Sequence, residues 1–177
     1  SDFASFAPKL EHLLELVRER SVAIDSKSHP YDVLLDEFDP GTTMADLRLT
    51  FARLRTGLGQ LLSAVRDHAD FPVYDHAFDP TLQRDLHRDV LTAMGFDFDA
   101  GRLDDAEHPF SLGLHPDDVR ITTHVYPTDL LASLWGTIHE GGHALYEQGL
   151  PTALRGTTVA KPASFGLHES QSRFWEN

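Results

Sequence analysis

The sequence predicts a mainly α fold with a small β-sheet set next to one long helix in the C-terminal half. Three observations predict it. Apolar residues recur at three- and four-residue spacing over several long windows, the period of helices with one buried face. The stretch 117–126 alternates apolar and polar residues, the period of a strand. The helical window from Pro127 to Gly149 contains His139-Glu140-Gly141-Gly142-His143, the pattern H-E-x-x-H.

In chain order, residues 2–20 form a helix with Phe3, Phe6, Leu10, Leu13, Leu14 and Val17 as an apolar stripe and charges opposite. Ser28-His29-Pro30-Tyr31 and Asp39-Pro40-Gly41 are turn signals, and Val33, Leu34, Leu35 and Phe38 between them suit a short helix. Thr43-Met44-Ala45-Asp46 resembles a capping box with Asp in place of Glu. The helix it opens runs to about His68 on Met44, Leu47, Phe51, Leu54, Leu58, Leu61, Leu62 and Val65, and Phe71-Pro72 breaks the pattern. Asp79-Pro80 starts the next helix, which buries Leu82, Leu86, Val90, Leu91 and Met94 and stops at Gly95.

Beyond Gly95 the texture changes. Phe96-Asp97-Phe98-Asp99 alternates, Ala100-Gly101 turns the chain, and His108-Pro109-Phe110 falls in a loop. Val119, Ile121, Thr123 and Val125 then mark the best strand, whose pattern is that of a plain sheet strand; only at an edge beside the long helix would it have backbone groups to offer an extended peptide. That helix is capped by Thr128 or Asp129, ends at Gly149, and carries Leu131, Leu134, Trp135, Ile138 and Leu145 as its apolar face. Residues 150–167 hold Pro151, Gly156, Pro162 and Gly166, which predicts a loop with at most a short helix. A last helix begins near His168. The internal line therefore falls at 95: residues 1–95 form a helical part and 96–177 a metal-site part of one domain or fragment. The chain stops just after Phe174 and Trp175, large apolar residues suited to a core, so it reads as a segment of something longer.

The chemistry requires the spacing in H-E-x-x-H. Residues i and i+4 lie on one helix face, so His139 and His143 can converge on one ion, and zinc takes such nitrogens at about 2.0–2.1 Å. Glu140 then lies beside the water that such an ion activates. Gly141 and Gly142 cost a helix interior on the order of 1 kcal/mol each relative to Ala. Room for a substrate or a closely packed backbone would offset that cost. A third ligand must come from elsewhere; by spacing, Glu169, Glu147 and Glu176 all qualify.

Composition sets the outer limits. Of 177 residues 41% are hydrophobic and 24% charged, as in a globular domain large enough to bury a core. A net charge of −13 argues against a nucleic-acid or anionic-membrane partner. No run approaches the ~18 apolar residues of a membrane helix. Ser1 to Arg20 mixes charges and apolar residues in a way no signal peptide does. There is no cysteine, which excludes thiolate metal sites and is compatible with the cytoplasm, the expected compartment.

Four motifs in order, His108-Pro109-Phe110, Asp118-Val119-Arg120-Ile121-Thr122, His139-Glu140-Gly141-Gly142-His143 and His168-Glu169-Ser170-Gln171, resemble the M32 metallocarboxypeptidases, the carboxypeptidase Taq family. The stretch from Tyr31 to Thr42 and the helix at 2–20 resemble it too. The resemblance implies a helical zinc-peptidase (gluzincin-like) fold that removes C-terminal residues from peptides with Zn2+, or Co2+, as cofactor. It implies His139, His143 and Glu169 as metal ligands and Glu140 as general base. It places His108, Asp118, Arg120 and Thr122 near the substrate, and makes the full-length protein a homodimer. The family's motif for gripping a substrate's terminal carboxylate has no counterpart here; Arg120 and Arg173 are the candidates that remain. Two other functions fit the same motif: a different zinc peptidase, or a metal-binding segment without catalysis.

Overall fold

A computed structural model describes residues 2–66 and 76–177. The chain separates into two compact units, Ser1–Asp70 and Phe71–Asn177.

The first unit is helical. Helix α1 (Phe3–Ile24) starts where the Asp2 carboxylate accepts the Ser5 amide, and it is longer than its apolar stripe predicts. Helix α2 (Pro30–Leu35) uses the expected turn residues differently: His29 caps it, with Nδ1 accepting the Tyr31 amide, and Pro30 occupies the first turn, where no N–H is needed. The buried Ser21 hydroxyl donates to the Pro30 carbonyl at 3.1 Å and joins α1 to α2. Helix α3 (Met44–Arg66) opens on the reciprocal capping box: Asp46 N donates to Thr43 Oγ1 and Thr43 N to Asp46 Oδ2. Its expected end near His68 and the break at Phe71-Pro72 lie outside the described residues. Most of the stripe residues of α1 and α3 are exposed, with Leu10, Val17, Met44 and Leu47 half-buried, and α3 buries none of its described side chains.

The second unit has two layers, helices on one face of a three-stranded sheet of order β1-β3-β2. Helix α4 (Pro80–Met94) is capped by Asp79, whose Oδ1 accepts from Thr81 N and Leu82 N, and it ends at Gly95 with φ +100°, a conformation side chains disfavour. Strands β1 (Gly101–Asp105) and β2 (Phe110–His115) flank β3 (Asp118–Thr123), β1 in parallel and β2 antiparallel. The strand marked by its alternation is therefore central, and β2 holds the edge next to the long helix α5 (Leu130–Gln148). Val119, Ile121 and Thr123 turn toward the helices; Asp118, Arg120 and Thr122 turn away.

Leu91, Phe96, Val119, Ile121 and Ala144 form the core, with Met94, Phe98, Leu103 and Leu145 against it. Burying a side chain such as Ile121 completely contributes about 1.5–3 kcal/mol. The helix faces differ from expectation. On α5 Leu131 and Trp135 are exposed, and Ser133, Thr137, Gly141 and Ala144 are buried; on α4 Leu82 is exposed, and Gln83 and His87 are buried with Leu91. Ser133, Thr137 and Gln83 are inside because backbone and hydroxyl groups need partners there. Ser133 Oγ donates to the His124 carbonyl at 2.8 Å and accepts the Tyr126 amide at 2.8 Å, Thr137 Oγ1 lies 2.7 Å from Thr123 Oγ1, and Gln83 Nε2 donates to the Tyr126 carbonyl.

After α5 the chain makes two 3-10 turns, Thr152–Leu154 and Thr158–Ala160, then helix α6 (Phe165–Trp175), capped by Ser164 and starting before the expected position. No helix among the described residues is long and apolar enough to cross a membrane.

Candidate metal centre

The centre is built by two helices, α5 and α6. Asp129 caps α5 through the Ala132 amide, and the helical repeat then carries His139 and His143 onto one face, their rings 4.8 Å apart and nearly perpendicular. Gly142 sets how close α6 comes. A Cβ there would lie 2.6 Å from Ser172 Cα and 2.8 Å from the Gln171 carbonyl oxygen, so the α6 backbone rests directly on α5. Gly141 faces the flexible ends of Leu91 and Met94 instead. The two glycines thus serve helix packing.

That close approach brings Glu169 to the histidines. Its Oε2 is 3.3 Å from His143 Nε2 and 3.8 Å from His139 Nε2, and one donor atom from each of the three residues lies within 4.8 Å of the others. Two imidazoles and a carboxylate this close together form a donor set suited to a divalent cation. Of the other carboxylates that spacing allowed, Glu147 pairs with His168 Nε2 at 2.9 Å and Glu176 with His139 Nδ1 at 2.6 Å.

Glu140 and His143 are each 9% exposed, at the wall of a cavity of about 520 Å³ that Phe110, Ser111, His168 and Glu169 also line. Burial pushes the Glu140 carboxyl above the ordinary value, against the pull of His139 and a hydrogen bond from Ser111. Burial, with His168 and His139 close by, holds the His143 imidazole below its ordinary value and so favours the neutral, ligating form. Hydrogen bonding to His139 lowers the Glu176 carboxyl, with Arg173 assisting.

The other candidates do not line the cavity. Asp118 and Arg120 pair with each other at 2.9 Å on the far face of β3, and neither lines the cavity. Thr122 Oγ1 accepts the Phe110 amide and donates to the His108 carbonyl, so it fastens β2 and the preceding loop. His108 is near enough to Glu140 to act on its charge. Sequence reasoning missed Ser111, and it did not foresee the contacts of two residues it had named: His168 stacks on His143 with rings 4.5 Å apart, and Arg173 binds both Glu169 and Glu176. The Arg173 contacts left a sequence signal, since Glu169, Arg173 and Glu176 stand at helical spacing on one face.

Comparison with known proteins agrees with this geometry. The family model described as carboxypeptidase Taq (M32) metallopeptidase matches residues 1–177. Carboxypeptidase 1 of Bacillus subtilis is 42% identical over 180 residues, covering 100% of this chain and 36% of that protein. Thermostable carboxypeptidase 1 of Thermus thermophilus is 39% identical over 99% of this chain and 37% of its own length. The crystal structure of the M32 carboxypeptidase from Deinococcus radiodurans R1 superposes with a TM-score of 0.90 at 40% identity, covering 99% of this chain and 36% of that one. This chain thus spans little more than a third of the length of these relatives. A family match that runs from the first residue to the last places the chain among the carboxypeptidase Taq (M32) metallopeptidases.

Proposed function

We propose that this chain carries the metal centre of a carboxypeptidase that releases C-terminal residues from peptides, with zinc as the cation and cobalt as a substitute. The observation that carries the reading is the convergence of His139, His143 and Glu169 beside the buried Glu140, in a chain of this family. His139, His143 and Glu169 would hold the ion. Such an ion supplies Lewis-acid chemistry, activating water and polarising the scissile carbonyl. Glu140 accepts the proton of the attacking water and returns it to the leaving amine. Its raised proton affinity suits both transfers, and Ser111 lines the same cavity. Pro109, Phe110 and Ser111 bring the edge strand β2 to the same cavity, so an extended peptide has backbone groups to pair with there.

Glu140→Gln is expected to keep about one ion per chain and to lose at least ~100-fold in peptide hydrolysis. Full activity in that variant would remove Glu140 from the mechanism. An N-blocked peptide should be cleaved and a C-amidated one refused; the opposite preference would mark an aminopeptidase.

A second reading, metal binding without turnover, is favoured by the arginines. Arg120 is paired with Asp118, and Arg173 with Glu169 and Glu176, so a substrate carboxylate would have to compete for either. Arg155 and Lys161 line a neighbouring cavity of about 460 Å³ that shares Glu147 and Pro162 with the first. Stoichiometric zinc with no hydrolysis of the N-blocked peptide selects this second reading.

A further inference from the structure

Helix α6 holds more of the metal centre than its ligand. Glu169, Arg173 and Glu176 share one face, and their polar atoms form a closed chain with the histidines. Glu176 Oε1 meets His139 Nδ1 at 2.6 Å, and Arg173 Nη1 donates to Glu176 Oε2 at 2.8 Å. Arg173 Nε donates to Glu169 Oε1 at 3.0 Å, while Glu169 Oε2 faces the Nε2 atoms of His143 and His139. Each contact removes one alternative. An imidazole whose Nδ1–H is held by a carboxylate presents Nε2 as its lone pair, and the nearby negative charge makes that lone pair a stronger donor. A carboxylate whose one oxygen is held by a guanidinium presents the other.

We propose that Glu176 is a positioning residue of the metal centre, which fixes His139 in the tautomer that ligates through Nε2. Arg173 acts as the strap that keeps Glu176 on His139 and turns Glu169 to bind through Oε2. The proposal rests on the metal-site reading above and goes beyond the three ligands. Its partner arrangement is asymmetric: Glu176 contacts His139, whereas beside His143 the structure places His168, stacked on the ring and bound to Glu147.

The test uses the purified 177-residue chain, zinc, and competition against a chromophoric chelator. Glu176→Ala is expected to weaken zinc binding ~10–100-fold with the stoichiometry kept near one. Glu176→Gln, whose carbonyl still accepts the Nδ1–H, should recover much of the loss, and Arg173→Ala should fall between. Long-range 1H–15N spectra of the zinc-loaded wild type should show His139 protonated at Nδ1 and ligating through Nε2. Ligation through Nδ1 overturns the proposal. So does wild-type affinity in both Glu176 variants while His139→Ala loses the ion; that result leaves the centre standing without Glu176. If the wild-type chain itself takes up no zinc, the metal-site reading and this proposal both fail. Should Glu176→Ala not fold, the Gln variant and the spectra decide.

Discussion

His87 is wholly buried on α4, and neither ring nitrogen has a hydrogen-bond partner among the described residues. Burial pushes its imidazole below the ordinary value; Arg84 adds to that, and Asp105 opposes it. The unfolded chain therefore takes up this proton first as pH falls. Stability is full above the unfolded value of about 6.5 and declines below it, by at most about 1.4 kcal/mol per pH unit for one proton. His143 is shifted the same way and adds to the slope. We expect His87→Leu to flatten the decline of the urea midpoint between neutral and mildly acidic pH; an unchanged slope would assign it to other groups. The same scale shows what a sequence reveals. H-E-x-x-H is legible because helix geometry alone sets its spacing, and Asp79, Asp129 and the Thr43–Asp46 box because capping is local. The contact of Glu176 with His139 is not, because it depends on how α6 crosses α5.

Among the elements, α5 and α6 show most directly how packing makes a site. Gly142→Ala sets a methyl against the backbone of Gln171 and Ser172, which can give way only if α6 moves, and with it Glu169. Gly141→Ala meets the ends of Leu91 and Met94, which can turn aside. Overpacking of this kind costs about 1–3 kcal/mol. Thermal unfolding and zinc titration should rank Gly142→Ala well below Gly141→Ala in both stability and affinity; equal behaviour would contradict the close approach. Helical spans were legible from periodicity, but their inward faces on α4 and α5 were not. Apolar spacing pointed to Leu82, Leu131 and Trp135, whereas Gln83, Ser133 and Thr137 are inside because carbonyls and hydroxyls of the adjoining β3–α5 segment require partners. Strands β1 and β2 were hidden for a related reason. Gly-Arg-Leu-Asp-Asp and Phe-Ser-Leu-Gly-Leu-His lack β-branched residues, and pairing with β3 supplies what local preference does not.

For the molecule as a whole, two units carry different kinds of surface. Leu54, Leu58 and Leu61, on one face of α3, are 49%, 59% and 59% exposed. Contiguous apolar surface of this kind favours dye binding and self-association. Replacing the three with Gln should reduce both, read by fluorescence and sedimentation, and leave the zinc stoichiometry unchanged because the centre belongs to the other unit. An unchanged response would place the adhesive surface elsewhere. The composition of α3 made its helix legible; no local pattern could say what its stripe meets.

The placement of the ligands has one more consequence. His139 and His143 stand on one helix and Glu169 on another, with the two 3-10 turns of the intervening segment between them. An ion gripped by both helices closes that segment into a ring, as a covalent staple would. The entropy lost in closing such a ring grows only with the logarithm of its length. With the proposed ion bound, ion affinity and the docking of α6 would be coupled, and residues 150–164 would influence how tightly the ion is held without touching it.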